Sequence, residues 1–92
     1  VNLPQNLIHL TFGIDFNQHV DLPWSLKYLH LNCIKTSIVD YLPDSLERLT
    51  LGNLFNSLLN NLPTSLKTLK IRNDYDKNKL KNLPKNLNVI YY

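Results

Sequence analysis

The stretch LPDSLERLTLGN, residues 42–53, places leucine at 42, 46, 49 and 51, a spacing that is neither the face of a helix nor the simple alternation of a strand. Its neighbours explain it. LPQNLIHLTFGI begins at Leu3, LPWSLKYLHLNC at Leu22 and LPTSLKTLKIRN at Leu62, with LPKNLNVIYY from Leu83 as a shorter fifth copy. The starts lie 19, 20, 20 and 21 residues apart. A period near twenty that runs the length of a chain marks a solenoid, in which each unit buries its apolar face only against its neighbours.

Ninety-two residues would form a small globule with a modest core, but a stack accumulates its core unit by unit. The expected division is one repeat domain over 1–92, with units 3–21, 22–41, 42–61 and 62–82 and a partial unit 83–92. The chain starts with Val and offers no polar cap at Val1, Leu3 and Leu7 or at Val89, Ile90, Tyr91 and Tyr92, so it reads as a piece of a longer protein. With 43% hydrophobic residues and no long apolar run, it is neither disordered nor membrane-spanning. The single cysteine, Cys33, excludes an internal disulfide and fits a reducing compartment. None of the 13 asparagines falls in an Asn-x-Ser/Thr sequon, which also points to an intracellular, cytoplasmic protein.

Counted from each LP, positions 5, 8 and 10 are apolar: Leu7, Leu10, Phe12; Leu26, Leu29, Leu31; Leu46, Leu49, Leu51; Leu66, Leu69, Ile71; and Leu87, Ile90, Tyr92. The pair at 8 and 10 has a strand's period. Units this short must bring each strand back beside its predecessor in the same direction, giving a parallel sheet of about five strands, about 20 to 25 Å wide. The prolines at 4, 23, 43, 63 and 84 stop a helix from running into the strand. Little or no α-helix is expected, and the convex side should be irregular or 3-10. Polar residues after the proline suit a turn whose side chains bond local backbone; Trp24 is the exception. Phe16, Phe55 and Tyr75 at position 14 should fill the wedge behind the sheet, with Asn17, Asn56 and Asp76 bonding the bend. In the second unit, where Lys35 and Thr36 stand there, Ile34, Ile38 and Val39 should supply the filling.

LxxLxL is the core of the leucine-rich repeat, and the fuller LPxSLxxLxLGxxFN, carried by residues 42–56 and as LPQNLIHLTFGIDFN by residues 3–17, resembles the FNIP repeat. That subfamily occurs in social amoebae and in giant DNA viruses of amoebae, some members carrying an F-box ahead of the repeats. The resemblance covers essentially the whole chain and implies a horseshoe-like, right-handed leucine-rich-repeat solenoid. The units here are somewhat shorter than usual, and the second and fourth lack Phe-Asn. Short leucine-rich repeats of bacterial effectors, which also read LPxSLxxLxLxxN, are the alternative.

Positions 7, 9 and 11 should face the open, concave side of the sheet. Tyrosine and arginine are frequent interface anchors, so Tyr28, His30, Arg48, Thr50, Lys70, Arg72 and Tyr91 are the expected contacts for a protein partner. The formal charge of +3 is uneven: residues 1–61 sum to −2 and residues 62–92 to +5. The lysines of the basic end are not interleaved with stacking aromatics, so nucleic acid is not the expected partner. His9, His30 and Cys33 lack a fourth ligand and match no zinc spacing. No nucleophile and base share a face, and Gly13 and Gly52 are isolated, so no phosphate loop is present. The expectation is a monomeric, non-catalytic protein-interaction module without cofactor, small-molecule substrate or membrane contact. In one version it selects substrates for an F-box ubiquitin ligase; in the alternative its repeats target or restrain an effector's catalytic domain.

Overall fold

Proline opens every turn of the coil. In the computed structural model, which describes residues 3–16, 20–33 and 38–92, the amide of the position-5 leucine donates to the proline carbonyl three residues earlier in all five units: Leu7 to Pro4, Leu26 to Pro23, Leu46 to Pro43, Leu66 to Pro63 and Leu87 to Pro84, at 3.1–3.3 Å. Proline is pre-set for such a turn because its ring fixes φ. The chain then enters a four-residue strand, β1 His9–Phe12, β2 Tyr28–Leu31, β3 Arg48–Leu51, β4 Thr68–Ile71 and β5 Asn88–Tyr91. The strands form one parallel sheet in the order β1-β2-β3-β4-β5. Among the described residues the return paths carry two 3-10 turns, Ile38–Asp40 and Lys77–Lys79, and an isolated bridge between Leu59 and Leu80, and there is no α-helix.

The repeat positions build the core as their spacing requires. Leu26, Leu29, Leu31, Leu46, Leu49, Leu51, Leu66, Leu69 and Ile71 are all buried, in columns from unit to unit. Each such side chain contributes about 1.5–3 kcal/mol by leaving water. Behind the sheet, the amides of Phe16, Phe55 and Tyr75 close a second turn onto Gly13, Gly52 and Arg72. That turn folds Phe55 and Tyr75 into the core and half-buries Phe16. Phe12 and Phe16 stack at 4.2 Å, Phe55 and Tyr75 at 6.1 Å. In the second unit Ile38 and Val39 fill the wedge; Val1, Asn17, Ile34, Lys35 and Thr36 lie outside the described residues. The terminal units are less covered, with Leu3, Leu7, Leu10, Leu87 and Val89 only partly buried.

Two expectations are corrected. The turn serines do not bond local backbone: Ser25, Ser45 and Ser65 each donate to the position-5 carbonyl of the preceding unit, Leu7, Leu26 and Leu46, at 2.6–2.7 Å. Stacking sets that carbonyl within reach of the hydroxyl, and the hydroxyls become a ladder between coils.

The second correction concerns β5. In the earlier units the amides at positions 6 and 7 both donate to one carbonyl of the previous coil, as Lys67 and Thr68 do to Glu47. In the last unit Asn88 alone reaches Lys67, at 3.0 Å. The strand therefore pairs Thr68 with Asn88 and Leu69 with Val89, twenty residues on, although the LP motifs are 21 apart. Asn82 (φ 52°) and Asn86 (φ 69°) absorb the mismatch; asparagine is among the few residues that take left-handed backbone at modest cost. A one-residue slip exchanges the faces of a strand. Val89, not Ile90, packs on the core, and Tyr91, expected on the open face, stands level with the inward Ile71.

Candidate functional site: the open face of the sheet

Alternation leaves one row of residues at the start of each strand and another two residues on, both away from the core. The first row runs His9, Tyr28, Arg48, Thr68, and the second Thr11, His30, Thr50, Lys70, Ile90, with each residue paired to the next across the sheet. Asn32, Gly52 and Arg72 follow at the strand ends. Of the expected contacts, Tyr28, His30, Arg48, Thr50, Lys70 and Arg72 are on this face; Tyr91 is not.

Tyr28 organises the first half of the strip. The edge of His9 meets its ring at 6.2 Å, and the Arg48 guanidinium lies over it, 5.5 Å from the centroid. Cations over tyrosine faces are attracted by the ring quadrupole. His9, Tyr28, Leu29, His30, Arg48 and Thr50 line a shallow depression of about 370 Å³. Gly52 has a separate reason to be glycine: a Cβ there would sit 2.1 Å from Asn32 Oδ1 and 3.0 Å from the Asn32 Cα. Its amide bonds the Leu31 carbonyl at 2.8 Å, so the coils meet closely here.

Tyr92, which sequence reasoning placed in the core, organises the second half. Its amide donates to the Ile71 carbonyl, and its hydroxyl reaches across β4 to the Leu51 carbonyl. Lys70 and Arg72 lie over its ring at 5.4 and 5.1 Å. Lys77, from the 3-10 turn behind the sheet, lies over Tyr91 at 4.5 Å, which fixes Tyr91 on the return side. The basic end is thus interleaved with aromatics after all. The signal was the adjacent Tyr91-Tyr92 pair, and the slip in register hid it.

Among the described residues, ion pairing occurs below the strip rather than on it. Glu47, just before β3, takes Lys27 at 3.0 Å and Lys67 at 3.8 Å. The hydrogen bond and charge of Lys27 hold the Glu47 carboxyl below its usual range, and Glu47 in turn holds Lys27 above its own. Cys33 is buried, and burial pushes its thiol up, as for a packing residue rather than a nucleophile. Among the described residues no three of His, Cys, Asp and Glu converge as metal ligands, and no helix is long and apolar enough to cross a membrane. Trp24 is 75% exposed on the proline-turn edge, in a depression with Tyr41 and Leu42.

Five parallel strands joined by short returns, with leucine columns within, define a solenoid of leucine-rich-repeat type: a repeat module. Its repeats match the FNIP Repeat family over residues 1–33, 16–54 and 35–74, and the chain belongs to that family. No curated protein matches it.

Proposed function

We propose that the chain is a non-catalytic protein-interaction module that acts as a monomer and holds its partner on the open face of the sheet. The observation that carries this reading is the strip itself. Its side chains do no work for the core, yet they include the anchor types Tyr28, Arg48 and Arg72, on a rigid parallel scaffold. Tyr28, His30, Arg48, Thr50, Lys70 and Arg72 form the proposed contact set, with Tyr92 in place of Tyr91. A photo-crosslinking residue at Thr50 should capture a partner from the native host that is lost in Tyr28→Ala and Arg48→Ala. Equal capture from a crosslinker at Leu58, on the return side, with no effect of these substitutions, would overturn the assignment.

The resemblance to F-box-linked FNIP proteins supports a narrower version, in which these repeats select substrates for a ubiquitin ligase. An F-box ahead of residue 1 in the full reading frame supports it. A catalytic domain after residue 92 supports targeting repeats of effector type instead.

A further inference from the structure

The charge pattern of the open face names the chemistry of what it holds. None of the chain's seven carboxylates lies in a strand. The strands carry Arg48, Lys70, His9 and His30, and Arg72 follows β4 directly, while every Asp and Glu but Glu47 belongs to a turn or a return path. Glu47, the carboxylate just before β3, is bridged on both sides by Lys27 and Lys67, so its charge is already compensated. Arg48, Lys70 and Arg72 have no carboxylate partner among the described residues. Each lies over a tyrosine instead, and Lys70 and Arg72 share one ring, Tyr92. Two cations held against one aromatic repel each other, a cost that an arriving anion converts into attraction.

Resting on the reading that the open face is the docking face, we infer that the partner contributes an extended segment rich in Asp and Glu, laid along the sheet. The spacing fits. Lys70 in β4 and Arg72 just after it are two residues apart, about 6.6 Å where the chain stays extended, the same distance that separates alternate side chains of an extended peptide. Alternate carboxylates therefore meet successive cations, and Arg48, on the neighbouring strand and paired with Thr68 two residues before Lys70, stands beside the next alternate carboxylate, about 6.6 Å further along the segment. The guanidinium fork of Arg48 suits a planar carboxylate. Nucleic acid fits less well, because single strands are held by bases stacked on aromatic faces. Here Arg48 lies over Tyr28 and two cations over Tyr92, whose hydroxyl is tied to Leu51.

The test uses the full 92-residue chain and four fluorescein-labelled probes: a dodecapeptide alternating Glu with Ser, the same peptide with Gln or with Lys for Glu, and oligo-dT. Fluorescence anisotropy should show the Glu peptide binding at least about tenfold more tightly than the Gln peptide, and weakening as salt is raised. Arg48→Glu/Lys70→Glu, both exposed positions, should abolish that preference with an unchanged circular dichroism spectrum, and Lys81→Glu/Lys85→Glu should leave most of it. Should the double variant unfold, Arg48→Gln/Lys70→Gln reads the same loss. Equal binding of Glu and Gln peptides that is lost in Tyr28→Ala overturns the acidic partner but leaves the open face as the docking surface. Acidic binding lost only in the Lys81/Lys85 variant, or tighter binding of oligo-dT than of the Glu peptide, overturns the inference. If no probe and no captured partner responds to Tyr28, Arg48 or Lys70, the docking reading itself fails.

Discussion

Single residues here answer to the coil above or below them rather than to their chain neighbours. Gly52 carries no left-handed φ; it is glycine because Asn32 of the previous coil stands where a Cβ would go. Gly52→Ala should destabilise the chain by about 1–3 kcal/mol, the usual cost of overpacking. Asn32→Ala should restore only part of it, since removing the side chain leaves the Asn32 Cα in place; urea denaturation of the two variants and the pair would show this. Tyr75 sets a pH dependence. Its hydroxyl donates to the Ser57 carbonyl of the previous coil at 2.7 Å, and burial, then the Asp76 carboxylate, push its pKa up to about 12. An unfolded tyrosine ionises near pH 10. Between about pH 10 and about 12 the unfolded chain has released a proton that the fold retains, so this contribution is intact below about pH 10 and lost as pH rises. Denaturation midpoints measured across that window should fall less steeply in Tyr75→Phe than in the parent.

At the scale of the element, β5 is the departure from the repeat. If the leucine spacing alone set the faces, Ile90 would be core and Val89 would be surface. The slipped register reverses them, so Val89→Ser should cost about 1–2 kcal/mol and Ile90→Ser less than about 0.5 kcal/mol. Thermal melts of the two variants decide between the registers. The return paths are joined separately. Leu59 forms a parallel bridge with Leu80, and the Lys79 ammonium donates to the Asn56 carbonyl and to its side-chain oxygen. The Asp76 carboxylate accepts the Asn78 amide and caps the 3-10 turn. The third and fourth coils are thus fastened front and back, by sheet and by return.

For the whole molecule, columns of leucine transmit stability from coil to coil, as in any stacked repeat. Leu49 sits in the central coil at 1% exposure, so Leu49→Ala should cost about 2–5 kcal/mol. The corresponding change at Leu10 of the first coil, only partly buried, should cost less. Calorimetry of the two variants would show the gradient from the middle of the stack to its end.

The architecture was legible before any contact was known, because a twenty-residue register of LP, leucine and alternating apolar positions admits only short parallel strands with irregular returns. The sequence by itself also placed six of the seven expected contact residues on the open face, all but Tyr91, since a strand's period of two assigns faces without reference to neighbours. The β5 register needed tertiary structure: whether the twenty-first residue is absorbed in the turn or in the pairing depends on left-handed backbone at Asn82 and Asn86, the Asn82 side-chain amide also donating to the Asn60 side chain of the coil beneath. The roles of Tyr91 and Tyr92 followed from it. Only the stack, too, could show that the serines bond the previous coil and that Lys70 and Arg72 share the ring of Tyr92. Those are distances between residues some twenty positions apart, and a one-dimensional period sets their order but not their contacts.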